Sequence, residues 1–129
     1  MAETRALLKT FLKSCSLERS SEHSLYHVDH SKVKRVLNLA KEVIPLPDNK
    51  YEFSLIFTLT AYQEDKVVYL VEVEYSGLFL LEELSGEDFD SFIEKTAPFI
   101  LEPYFKAEVN EVLLKAELPL LPLNNLNWD

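Results

Sequence analysis

Residues 51–62 read Tyr-Glu-Phe-Ser-Leu-Ile-Phe-Thr-Leu-Thr-Ala-Tyr, and this run constrains the fold more than any other. Tyr51, Phe53, Leu55, Phe57, Leu59 and Ala61 alternate with Glu52, Ser54, Thr58 and Thr60, with Ile56 as the interruption. Successive side chains of an extended chain point to opposite faces, so the pattern is a strand with one buried face. Gln63-Glu64-Asp65-Lys66 is a polar turn, after which Val67, Tyr69, Val71, Val73 and Tyr75 repeat the alternation. The two runs form an antiparallel hairpin. Gly77 interrupts the second run ahead of Leu78-Phe79-Leu80-Leu81 and marks a bulge or a bend.

Helical signals follow. Ser85 is a candidate N-cap with Glu87 and Asp88 in the first turn. Phe89, Phe92, Ile93 and Thr96 form a stripe, and Pro98 restarts the chain. From about Phe99 to Ala116, Leu101, Phe105, Val109, Val112 and Ala116 recur at helical spacing. Glu102/Lys106 and Glu111/Lys115 are i,i+4 pairs on the polar side. Pro103 is tolerated only in a first turn or at a kink, so the regular helix is expected to start near Glu102 or to kink there. Pro119 and Pro122 then forbid helix, leaving a leucine-rich extended tail that is too apolar to stay free. It is expected to pack on the sheet, on a sister subunit or in a groove.

The first fifty residues carry weaker signals. Leu7–Leu17 reads as an amphipathic helix or as a strand, and Val33–Ile44 has helical periodicity closed by Pro45 and Pro47. No internal repeat or long linker divides the chain, so residues 1–129 are expected to form a single domain.

With 22 acidic against 13 basic residues, the net charge of −9 opposes binding to nucleic-acid phosphates. No stretch reaches the ~20 apolar residues of a membrane span, and no signal-peptide h-region stands near Arg5. One cysteine, Cys15, cannot form an internal disulfide, which fits a reducing cytoplasm. His23 and His27 stand at i,i+4 with His30 and Asp29 nearby, but no further ligand completes a metal site, and exposed loop histidines are expected. Nothing in the sequence places a base beside Cys15, and two glycines leave no phosphate-cradling loop. No enzyme, metal or cofactor is therefore expected. What stands out is apolar excess at 78–81, 99–101 and 118–126, which suits an oligomer interface or a groove for extended chains.

The segments YEFSLIFTLTA, YLVEVEYSGLF, PFILEPYFKAEV and ELPLLPLNNLNWD resemble, in that order, the SecB family of protein-export chaperones. Pro98, Ile100, Leu101, Pro103, Tyr104 and Pro119 carry the match, and Lys13–Glu18 is similar to the family's first strand. The resemblance implies an α+β fold: a four-stranded antiparallel sheet with helices on one face. It also turns Val33–Ile44 into a strand. The implied function is an ATP-independent holdase for unfolded polypeptide clients, assembling as a homo-oligomer (a dimer or a dimer of dimers).

By position, the resemblance implies that Glu18, Leu70 and Glu72 belong to a flat acidic surface that docks the export ATPase SecA. Val71, Val73 and Tyr75 match oligomer-interface positions. The client groove would draw on Leu78, Phe79, Leu101, Tyr104 and Phe105. Ser14 stands where the family has Asp, and the chain stops at Asp129, where the family usually continues into a final helix. Those departures also suit a chaperone dedicated to one antitoxin in a toxin–antitoxin system, or a module that only oligomerises.

Overall fold

A computed structural model describes residues 4–19, 29–84, 86–123 and 126. Strands β1 (Thr4–Arg19), β2 (Lys34–Leu46), β3 (Lys50–Gln63) and β4 (Lys66–Glu82) form one antiparallel sheet in the order β1-β4-β3-β2. The expected hairpin is its centre, with β3 and β4 paired from Lys50↔Leu80 to Gln63↔Lys66. Its turn sets Glu64 and Asp65 at φ of 52° and 65°, the double positive φ of a tight hairpin made without glycine.

The helical periodicity of 33–44 is overruled. Lys34–Leu46 pairs with β3 residue for residue, from Lys34↔Tyr62 to Leu46↔Lys50. A preformed alternating strand offers a full ladder of hydrogen bonds, and that outranks a weak local helical preference. Leu7–Leu17 likewise lies within β1, which pairs with β4 through two register shifts, at Leu7/Lys9 and Leu12/Ser14.

Gly77 makes neither a bulge nor a bend. Its register is unbroken on both sides, opposite Thr10 and Phe53. A Cβ there would lie 3.1 Å from Leu101 Cδ1, 3.1 Å from Phe79 Cε2 and 3.2 Å from Leu7 Cδ1. The missing side chain lets a helix come down onto the strand.

That helix is continuous through both prolines. Helix α1 (Gly86–Ser91) passes through one π-helical turn, Phe92–Thr96, into α2 (Ala97–Lys115). The expected start near Glu102 is therefore five residues late. Pro98, which has no N–H to give, stands just past the π-helical turn, and Pro103 sits inside the helix on its exposed side. The Ser85 position lies outside the described residues.

Leu101, Phe105, Val109 and Leu113 recur every fourth residue and are fully buried against Phe53, Leu55, Phe57, Leu59, Val71 and Val73. Phe105 meets Phe57 edge-on with ring centroids 6.1 Å apart, and Phe79 stands between Phe53 and Phe92 at 6.5 and 5.5 Å. Each such side chain contributes about 1.5–3 kcal/mol through its removal from water. Val112 and Ala116, placed by periodicity on the same stripe, are only half buried and turn toward β1.

The end of α2 reverses the chain. Leu118 N–H donates to the Leu113 carbonyl at 2.9 Å and Glu117 N–H to Leu114 at 3.1 Å, the pair of bonds that makes a Schellman cap. Glu117 takes the left-handed position at φ 59°, where glycine is usual. The tail then runs back beside α2 and buries Leu118 and Leu123 to 5% exposure each. The apolar tail thus packs on its own subunit.

Candidate functional site

The sheet is wider than one helix. Where α2 crosses it, a groove of about 750 Å³ remains on the β1 side. Leu12, Cys15, Leu17 and Arg19 of β1 line one wall, with Glu108, Val112, Lys115, Ala116 and Glu117 opposite. Leu12, Leu17, Val112 and Ala116 make the surface apolar, and the charged residues stand around it. Lys115 is turned toward Glu111, 2.9 Å away, and that bond raises its pKa. Strand β1 is an edge strand, so its outer row of N–H and C=O groups is unpaired with any described strand.

Cys15 is exposed in this groove, and its surroundings disfavour the thiolate. Partial burial pushes the thiol pKa up, and the Glu108 carboxylate pushes the same way. A nucleophilic cysteine needs the opposite shift. Among the described residues no cluster of three or more His, Cys, Asp or Glu could hold a metal, and His23 and His27 lie outside those residues.

The opposite face of the sheet is mixed, with Glu18, Glu52, Glu72 and Glu74 among Ile56, Leu70, Leu78 and Leu80. Glu18 stands directly across from Leu70, and Ser16 across from Glu72, so the three expected partner-docking residues share one patch. Ser14 stands opposite Glu74. Next to it, Lys13 binds Glu52 at 2.5 Å and approaches Glu74 at 3.7 Å. The Glu52 bond is the largest cause of the raised Lys13 pKa. One end of this acidic face is therefore neutralised internally, leaving Glu18 and Glu72 as its acidic end.

The residues expected to form the client groove do not line an open surface together. Phe79, Leu101 and Phe105 are core residues at 1% exposure or less. Leu78, next to Phe79 on an extended strand, points to the opposite face, and only Tyr104 is well exposed. Strand parity decides the interface residues too. Val71 and Val73 lie under α2, buried within the subunit, so their side chains are unavailable to a partner; Tyr75 keeps some surface and bonds the Thr10 hydroxyl at 2.8 Å. Sequence reasoning missed the groove along Leu12, Cys15 and Leu17, although KSCSLE was readable as a strand. Its edge position was not.

A family model described as preprotein translocase subunit SecB matches residues 2–129. A protein-export protein SecB from Marinobacter nauticus is 30% identical over 124 residues, covering 96% of this chain and 74% of its own. The SecB of Hahella chejuensis is 28% identical, with 96% and 77% covered. A solved SecB-like chaperone of Mycobacterium tuberculosis, in complex with an antitoxin peptide, superposes with a TM-score of 0.75 at 17% identity, over 97% of this chain and 92% of that one. Sheet order, helix and family match agree: the chain belongs to the SecB family.

Proposed function

We propose that this protein is an ATP-independent holdase that binds extended apolar segments of unfolded polypeptides. The open groove beside edge strand β1 carries the reading. An extended client can add main-chain hydrogen bonds along the edge while alternate side chains drop between β1 and α2. Apolar burial at about 25 cal/mol per Å² drives binding with little sequence preference. Cys15 supplies the test. An unfolded, reduced and carboxymethylated client should slow alkylation of Cys15, and this protein should suppress aggregation of a denatured client without nucleotide. Unchanged alkylation at saturating client sinks this site.

The export half of the reading is a docking surface for SecA at Glu18, Leu70 and Glu72. Their shared patch supports it. A SecA C-terminal tail peptide should bind the wild type and lose affinity for Glu72→Gln. A homo-oligomer would use the outer stripe of α2, where Phe99 is 76% and Leu114 67% exposed. The second reading, a chaperone dedicated to one antitoxin, is supported by the antitoxin peptide on the Mycobacterium tuberculosis relative and by Ser14 and Lys13 on the acidic face. Strong binding of one small protein with no SecA-peptide affinity would favour it.

A further inference from the structure

The β1 residues that line the groove are Leu12, Cys15, Leu17 and Arg19. Successive ones are three, two and two positions apart, where an unbroken strand would keep to two throughout. The odd step coincides with the register shift between Leu12 and Ser14, so Lys13 is the inserted residue. A bulge of this kind re-aims a side chain. It keeps Cys15 and Leu17 on the groove side and sends Lys13 onto the opposite face of the sheet.

On that face Lys13 reaches across β4. Its Nζ donates to Glu52 Oε2 of β3 at 2.5 Å and lies 3.7 Å from Glu74 Oε2 of β4. Glu52 and Glu74 stand diagonally on either side of the Ser54↔Ser76 pair. Those two hydroxyls bond each other at 2.7 Å and are fully buried. The far end of the face differs. Glu18 and Glu72 are exposed, whereas Glu52 and Glu74 are half buried with the Lys13 ammonium upon them.

We infer that Lys13 is a specificity-determining residue of the docking face. It occupies Glu52 and Glu74, and so confines a basic polypeptide segment to Glu18 and Glu72. The inference rests on the docking reading above. A tethered ammonium competes at an effective concentration of roughly millimolar, so a partner's cation gains little by displacing it. Its reach is local, because charges are screened over about 8 Å at physiological salt. Glu72 lies two residues from Glu74 along β4, about 7 Å away, and so stays open to a partner. Lys13 is thus the repulsive element that rejects segments whose cations must spread over the whole face.

Calorimetric titration of the full chain with the SecA C-terminal tail peptide tests this. Lys13 is exposed, so its replacement leaves the sheet intact. At low salt, Lys13→Gln should tighten binding about fivefold, the order of one surface charge pair. Lys13→Arg, which keeps the cation, should bind as the wild type does. Lys41→Gln removes the same charge from the other face of the sheet and should change affinity less than about twofold. In the Lys13→Gln background, Glu52→Gln together with Glu74→Gln should cancel the gain. Equal gains from Lys13→Gln and Lys41→Gln overturn the role of Lys13, as does a gain that survives removal of both acids. The docking reading stands in either case if Glu72→Gln still weakens binding. A peptide that binds no variant, or binds Glu72→Gln as tightly as the wild type, overturns the docking reading and the role of Lys13 together.

Discussion

The two flanks of α2 are built on the same sheet face and end in opposite states. Toward β2, the leucines of the returning tail fill the space and two side chains tie its backbone. Toward β1, Leu12 is 43% exposed, Leu17 is half buried and a groove stays open. A helix about 10 Å wide cannot cover four strands spaced ~4.8 Å apart, so apolar sheet surface remains on both sides. One side is closed by an extended piece of the same chain. The other is left open.

The divider is the strongest point at which to break the comparison. Phe105 is fully buried and packs on Phe57 beneath α2. Phe105→Ala should cost about 3–5 kcal/mol, measured by urea unfolding, because it leaves a cavity under the helix that defines both flanks. A loss below about 1 kcal/mol would mean that α2 is held elsewhere, and the flanks would lose their common wall. A paired substitution then separates the sides. Leu118→Ala, on the filled flank, should cost about 2–4 kcal/mol, while Leu12→Ala, on the open one, should stay within about 0.5 kcal/mol. Equal costs would show that the two flanks are not energetically distinct.

A smaller effect sharpens the filled side. Glu117 holds the left-handed turn that sends the tail back along α2. Glu117→Gly removes the Cβ clash and should raise stability by about 0.5–1 kcal/mol in the same assay. A loss instead would show that the Glu117 side chain anchors the turn by contacts worth more than its strain.

Much of this was legible in the residues. The alternation of Tyr51–Ala61 and Val67–Tyr75 specified the central hairpin because a half-buried strand writes its two faces into the sequence. The resemblance supplied the order of elements and singled out Glu18 and Leu70, which meet across two strands far apart in the chain. What stayed hidden depended on parity and on neighbours. Val71 and Val73 lie on the same side of β4 as Phe79, and nothing local says which face receives the helix. Leu101 and Phe105 look like groove residues until a glycine opposite lets α2 settle onto β4. Leu12, Cys15 and Leu17 become a site only because β1 is the strand at the edge. That is a property of the sheet rather than of the segment.

Titration offers the finest discrimination between the flanks, since each carries one uncharged acid of raised pKa. On the filled side, burial raises the Tyr69 phenol, with Arg35 pulling part of the way back. On the open side, burial and then the Glu108 charge raise the Cys15 thiol. For both groups the native state keeps a proton that the unfolded chain has released. Their contributions to stability are therefore complete below the unfolded pKa and are lost as pH rises through the folded one. An ordinary thiol titrates near pH 8.5 and an ordinary phenol near pH 10, and each loss begins as pH rises past that unfolded-state value. Wild type and Cys15→Ser should accordingly melt in parallel at pH 7, and the wild type should fall relatively by a small amount as pH passes 9. Alkylation of Cys15 should track the same raised pKa, with its half-maximal rate above that of free cysteine. A midpoint at or below the free thiol value would mean that the open flank is wetter than its apolar wall allows, and that water rather than β1 and α2 sets the surroundings of Cys15.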